Sequence, residues 1–148
     1  MSSNIRRSAE VPYSREQMFD LVNDVDAYAE FLPGCRSASA RRISDQEVEG
    51  TIELAKGALH KSFTTRNQLR RPERIDMRLL RGPFRRLHGA WTFDELDNGK
   101  TRIALELDFE FANRIMAFAI GPVFNQIANS LVDAFVRRAR EVYGNGGA

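Results

Sequence analysis

The side chains that most often carry out catalysis are few in this chain and are not grouped at catalytic spacings. Both histidines, His60 and His88, fall in predicted strands, on the side that should face solvent. They are not at metal-ligand spacing, and the single cysteine, Cys35, cannot anchor a zinc site. As a nucleophile Cys35 would need a nearby base that the sequence does not supply, which favours a buried structural thiol. We therefore expect no catalytic residue, no metal and no cofactor.

The short motifs that mark common enzyme classes are also missing. The sequence has no phosphate-binding glycine loop, no dinucleotide-binding fingerprint and no Gly-x-Ser-x-Gly elbow. Its carboxylates are numerous but fall on the solvent-facing positions of the predicted strands, which does not favour a general acid–base pair. These absences point to a binding protein rather than an enzyme.

A dense group of arginines is the strongest charge feature. Acidic residues are few between residues 66 and 86, whereas arginines occupy eight positions there: Arg66, Arg70, Arg71, Arg74, Arg78, Arg81, Arg85 and Arg86. Such a patch could bind the phosphates of lipid or RNA, or it could simply be a solvated sheet face. The candidates for contact with an anionic membrane or with RNA are Arg70, Arg74, Arg78, Arg85 and Arg86.

Composition sets the size and class of the protein. With 148 residues, 43% of them hydrophobic, and a net charge of +2, the chain fits one soluble domain with a real core. One cysteine excludes an internal disulfide and favours a reducing cytosol. Residues 1–4 lead directly into a strand pattern, so we expect no signal peptide. The longest apolar stretch, 115–124, is far shorter than the roughly 20 residues that span a bilayer.

Alternating polar and apolar residues predict a series of strands joined by short turns, which forces antiparallel pairing. After the first strand, Ser14 and Gln17 form a capping box that opens a short helix. A second short helix starts at Asp24 and stops at Pro33 and Gly34. The predicted strands are 5–11, 35–43, 47–54, 59–69, 74–79, 87–93 and 101–111.

Beyond Asn113 the apolar spacing becomes helical. Because proline favours the first turn of a helix, Gly121 and Pro122 predict a short helical turn over 113–119 and a main helix over 122–142. The interruption could be a hinge or lid over a cavity, or a plain bend that fits the sheet. One face of this segment is apolar: Ile120, Phe124, Ile127, Ala128, Leu131, Phe135 and Val142.

A long apolar-faced helix that follows two-faced strands must cover the sheet. The layer between them is either a solid core or a cavity for an apolar ligand. The residues that would line such a cavity and bind a lipid are Phe31, Leu54, Phe63, Met77, Leu79, Trp91, Leu105, Phe109, Phe118, Phe124, Ile127 and Leu131.

Two segments carry a family resemblance. Residues 24–35, DVDAYAEFLPGC, resemble the D-x-x-x-Y-P-x-F-L-P-x-C segment of the coenzyme Q-binding (Coq10-like) family, with Ala29 in place of the usual proline. Residues 82–93, GPFRRLHGAWTF, resemble its G-P-F-x-x-L-x-G-x-W-x-F segment, and residues 109–111 and 133–139 are similar to its last strand and helix. The family also includes the bacterial ribosome association toxin RatA and lies in the START and polyketide-cyclase-like superfamily.

This resemblance implies an α+β helix-grip (START/Bet v 1-like) fold: a curved antiparallel sheet of about seven strands, two short helices after strand 1 and a long C-terminal helix. It implies that residues 1–148 form one lipid-binding domain. The implied function is that of a quinone chaperone, which holds ubiquinone as carried ligand and supports respiration. The alternative is a RatA-like protein that binds the large ribosomal subunit and blocks subunit association.

A cyclase or hydrolase activity is a third hypothesis, supported only by analogy of fold. The expected location is the cytoplasm, with peripheral contact at the inner face of the bacterial membrane as an open alternative.

Overall fold

The computed structural model describes residues 2–144 of the chain. The strands are β1 (Ser2–Val11), β2 (Cys35–Ser44), β3 (Glu47–Lys56), β4 (Leu59–Arg70), β5 (Arg74–Arg81), β6 (Phe84–Glu95) and β7 (Thr101–Phe111). The helices are α1 (Arg15–Asn23), a 3₁₀ helix (Val25–Glu30) and α2 (Arg114–Tyr143).

All seven strands form one antiparallel sheet with the order β1-β7-β6-β5-β4-β3-β2. Strands that follow one another in sequence are neighbours because short turns join them. Only β1 leaves this order, since α1 and the 3₁₀ helix carry the chain from one edge of the sheet to the other. Helix α2 then lies across the inner face. The predicted helix-grip architecture is thus confirmed.

The capping box after β1 is present. The Gln17 amide donates to Ser14 Oγ at 3.0 Å, and the Ser14 amide donates to Gln17 Oε1 at 2.9 Å. Two orphan amides at the start of α1 are therefore satisfied. The Tyr28 hydroxyl of the 3₁₀ helix donates to the Val22 carbonyl of α1, which fixes the angle between the two short helices.

The predicted interruption of the C-terminal helix is wrong, because α2 runs without a break from Arg114 to Tyr143. Pro122 is exposed and lies inside the helix, where it removes one backbone donor. Ile120 and Phe124 are buried on either side of it, so sheet packing holds both halves in one helical register.

The end of α2 also differs from the prediction. Val142 is 51% exposed, and Tyr143 takes the inward position, where its hydroxyl donates to the Gln17 carbonyl at 2.9 Å. Gly144 ends the helix with a φ of 80°, a conformation that favours glycine. Fraying was predicted from Gly144 onward, and residues 145–148 lie outside the described part of the chain.

By length and composition alone, α2 is the one helix among residues 2–144 that could cross a membrane. Its uninterrupted course provides this length, whereas the longest apolar stretch of the sequence, 115–124, is too short. The core helix of a soluble protein passes the same test.

Two apolar clusters fill the space between sheet and helices. The first lies under α1, the 3₁₀ helix and the C-terminal half of α2, and it includes Phe19, Trp91 and Phe135. The second lies under the N-terminal half of α2 and includes Phe109 and Phe124. The candidate site described next draws its lining from both clusters.

Candidate functional site

A small cavity lies between the two clusters, with a volume of about 90 Å³. At about 30 Å³ of liquid volume each, it has room for roughly three water molecules. Ligand sites are typically about 300–1,000 Å³, so a larger ligand requires the lining to move. Eight of the predicted lipid contacts line it: Leu54, Phe63, Met77, Trp91, Leu105, Phe124, Ile127 and Leu131.

Three of the other predicted contacts lie outside the cavity but within the protein. Phe31 packs edge-on against Phe135 at the edge of the first cluster, with the Arg138 guanidinium 5.0 Å from its ring centroid. Phe109 is buried in the second cluster, 4.8 Å from the Phe124 ring. Leu79 is half-buried beside the same cluster.

The predicted position of Phe118 in the cavity is wrong, because its side chain is 89% exposed. Each residue of an α-helix advances about 100°, so in a continuous helix Phe118 falls on the side away from Phe124. Ile115, three residues earlier, is 73% exposed beside it. An interruption at Gly121 would have allowed a different phase for residue 118, but α2 is continuous there.

Two polar residues in the lining were missed by the sequence analysis. Thr65 and Asn67 are 9% and 7% exposed, and both project inward from β4 between Phe63 and Leu69. The Thr65 hydroxyl donates to Asn67 Oδ1 at 2.8 Å. The signal was available, because odd-numbered positions on this strand share the inward face, but only apolar residues were sought there.

The titratable groups in the cavity lining are Tyr28 and Cys35. Burial raises the pKa of the Tyr28 hydroxyl far above its ordinary value, and Asp24 and Cys35 add to the effect. Burial also raises the pKa of the Cys35 thiol. Both groups are therefore neutral near pH 7, and the lining suits an apolar ligand with a small polar part.

The outer face of the sheet carries the arginine group. Strand pairing places Arg66 directly opposite Arg78, and Arg70 directly opposite Arg74. Like charges directly across a sheet destabilise it. The two arginine pairs are separated by the Gln68–Asp76 pair, so they form one continuous ladder on β4 and β5.

Acidic residues compensate much of this charge, and all of them except Asp76 come from strands outside the arginine segment. Salt bridges join Arg66 to Glu47 and Glu49, Arg70 and Arg74 to Asp76, and Arg85 and Arg86 to Glu110. Among residues 2–144, Arg78 and Arg81 have no acidic partner within 4.0 Å. Asp76 and Glu110 are each shared by two arginines, so the patch stays positively charged, with Arg78 in the ladder and Arg81 at the end of β5 as its cations without a partner in the described residues.

An open groove of about 690 Å³ crosses this outer face, with Arg74, Arg78 and His88 among its lining residues and Asp108 opposite. His60 lies elsewhere on the outer face, 3.3 Å from Glu53. Both histidines thus face outward, as predicted. Within the described residues, no group of three or more potential ligands could hold a metal ion.

Comparison with known proteins gives a consistent family and fold. Residues 11–136 match the family model described as polyketide cyclase / dehydrase and lipid transport. The chain is 44% identical over 144 residues to the ribosome association toxin RatA of Pseudomonas aeruginosa, covering 97% of this chain and 100% of the relative. It is 24% identical over 143 residues to the mitochondrial coenzyme Q-binding protein coq10 of Schizosaccharomyces pombe, covering 91% and 85% of the two chains.

Among solved structures, the Zhui aromatase/cyclase from Streptomyces sp. R1128 superposes with a TM-score of 0.79 at 17% identity, covering 96% of both chains. At 17% identity this match shows only that the two chains share a fold.

Proposed function

The chain belongs to the polyketide cyclase / dehydrase and lipid transport family, and from this premise we propose that it is a cytoplasmic protein that binds the large ribosomal subunit and blocks subunit association. The observation that carries this proposal is the arginine ladder on β4 and β5. The 44% identity to a ribosome association toxin supports it. The sequence resemblance alone favours quinone binding, but the coenzyme Q-binding relative is much more distant, at 24% identity.

The arginine ladder suits an RNA partner because its like charges repel one another across the two strands. Arg66 and Arg78 face each other across two strands, and only Arg66 has acidic partners on β3. A phosphate next to Arg78 would relieve the repulsion between the two guanidinium groups. Ribosomal RNA offers a dense array of such phosphates, and displacement of their counterions would make binding salt-dependent.

Co-sedimentation with large ribosomal subunits across a salt series tests this proposal. Replacing Arg78 and Arg81 together by threonine should weaken binding and reduce the slope of log K against log salt by about 0.7–0.9 per lost phosphate contact. Arg102→Thr is the matched control, because Arg102 is an exposed outer-face arginine on β7 with Glu10 as partner. An unchanged slope in the double variant, or an equal loss in the control, would contradict a contact at the ladder.

The apolar cavity supports a second candidate function, the carriage of ubiquinone or a related isoprenoid lipid. The distant coenzyme Q-binding relative supports this candidate too. Because the cavity is about 90 Å³, an isoprenoid tail enters only if the lining moves. Organic extraction and mass spectrometry of gently purified protein should find stoichiometric quinone. A protein that is empty and also binds no added short-chain quinone would count against this candidate.

Either function is one of binding rather than catalysis. The cavity lining contains no carboxylate and no histidine, and its two titratable groups are neutral near pH 7. General acid–base chemistry needs a group that gains or loses a proton near the working pH. Contact of the outer-face arginines with an anionic membrane remains a prediction.

A further inference from the structure

The polar side chains in the cavity are arranged so that one hydrogen-bond donor, the Asn67 amide nitrogen, is left for a ligand. Thr65 donates to Oδ1 of Asn67, which uses the acceptor of that amide. The amide nitrogen of Asn67 has no hydrogen-bond acceptor among the described residues. It lies 3.5 Å from the position that a Cβ would occupy at Gly50, on the neighbouring strand. The missing side chain at Gly50 therefore leaves room for one small group between Val25 and the Asn67 amide.

A free donor in such surroundings selects a particular chemistry. Asn67 is 7% exposed, but its amide nitrogen is not sealed in the core, since Asn23 Oδ1 is the one fully buried side-chain atom of the described residues that has no partner. The Asn67 amide is therefore accessible to a ligand in the cavity. The rest of the lining is largely apolar, and it holds no cation that could neutralise a bound anion. A carboxylate in this cavity would lose its hydration without gaining a counter-charge, which costs a large free energy. A neutral carbonyl oxygen needs no counter-charge, only a hydrogen-bond donor.

We propose that Asn67, oriented by Thr65 and facing the space at Gly50, is the subsite for a carbonyl oxygen of an otherwise apolar ligand. This inference rests on the second candidate function, lipid binding in the cavity. The cavity is smaller than the roughly 150 Å³ that admits benzene, so a ring must displace part of the lining. Met77, directly opposite Asn67 on β5, is an unbranched and adaptable side chain that can yield this space.

Calorimetric titration with two matched probes tests the subsite. One probe is ubiquinone with a single isoprenoid unit, and the other is the same substituted ring and tail without the two carbonyl oxygens. The wild-type protein should bind the quinone about tenfold more tightly, the ratio expected for one added hydrogen bond. Asn67→Leu, which is similar in size, should reduce this ratio to about one while binding of the probe without carbonyl oxygens is kept.

Gly50→Ala is a second variant that is expected to fold, because its new Cβ would make ordinary contacts of 3.5 Å with Asn67 and Val25. It should also abolish the preference for the quinone by filling the carbonyl position. Ser62→Ala, on the exposed face of β4, is the control and should keep the wild-type ratio. Thermal unfolding of each variant confirms that it is folded.

The outcomes separate the subsite from the function on which it rests. Binding of neither probe by the wild-type protein would overturn cavity binding and the subsite together. Equal binding of both probes, or a quinone preference that survives in Asn67→Leu, would overturn the subsite and leave lipid binding intact. The subsite is supported only if Asn67→Leu and Gly50→Ala both lose the preference for the quinone.

Discussion

Phe118 and Phe124 are six residues apart on α2, and their surroundings are opposite. Phe124 is 4% exposed and contacts the Phe84, Phe109 and Phe63 rings, whereas Phe118 is 89% exposed. Phe124→Ala should therefore lower the free energy of unfolding by about 3–5 kcal/mol, and Phe118→Ala should change it by less than about 0.5 kcal/mol. Urea denaturation of both variants measures the difference. A large loss in Phe118→Ala would show that another surface covers this position.

The buried hydroxyl of Tyr28 should make the stability of the fold depend on pH in the alkaline range. Its pKa is raised in the folded protein, so the folded state holds the proton more tightly than the unfolded state, which titrates near 10.0. The contribution of Tyr28 to the free energy of unfolding is then fully present below about pH 9 and declines as the pH rises further, because the hydroxyl ionises first in the unfolded state. Tyr28→Phe should cost about 1 kcal/mol near pH 7 through the lost hydrogen bond to Val22, yet show a shallower alkaline decline.

Denaturation midpoints from pH 7 to about pH 11 measure this effect. Cys35 and Tyr143 also have raised pKa values, so part of the decline should remain in the variant. An alkaline decline as steep as in the wild-type protein would mean that Tyr28 is not its source.

At the scale of single residues, the sequence predicts which side chains face inward better than it predicts which of them line the cavity. Strand alternation correctly placed Leu54, Phe63 and Trp91 on the inner face, and all three line the cavity. The same alternation placed Phe109 inside, but it fills the second cluster, since the difference depends on packing in three dimensions. Asn67 has the same phase and was passed over because its side chain is polar.

At the scale of elements, Pro122 carries a measurable cost. It is exposed inside α2, where it removes the backbone donor that the Phe118 carbonyl would otherwise receive. Pro122→Ala should restore this bond and raise the free energy of unfolding by about 1–3 kcal/mol. Gln126→Ala, an exposed change one turn later, should have little effect. Thermal unfolding of the two variants gives the comparison, and an unstabilised Pro122→Ala would mean that the backbone there is already satisfied.

The strands were predictable and the course of α2 was not, for a physical reason. Strand assignment rests on a local period of two that short turns reinforce, and the order of the seven strands follows from it. A proline preference is also local, but here the burial of Ile120 and Phe124 outweighs it. Packing against a sheet involves residues far apart in sequence, which a local rule does not register.

For the whole molecule, the important fact is that the two candidate surfaces share one sheet. On β5, Asp76 and Arg78 point outward to the arginine ladder, and Met77 between them lines the cavity. The charge of the ladder could not be judged from the sequence alone, because Glu47 and Glu49, the acidic partners of Arg66, come from β3. Only the thickness of the sheet separates the two surfaces. They can therefore act separately or be coupled through β5.

Two variants measured in two assays distinguish these cases. Arg78→Thr should weaken co-sedimentation with ribosomal subunits and keep quinone binding, because the sheet backbone lies between Arg78 and the cavity. Asn67→Leu should lose the quinone preference and keep ribosome binding. In the double variant the effects should add, since separate sites do not share contacts. Quinone that changes the ribosome affinity of the wild-type protein would instead demonstrate coupling, and linkage then requires ribosomes to change the quinone affinity by the same factor.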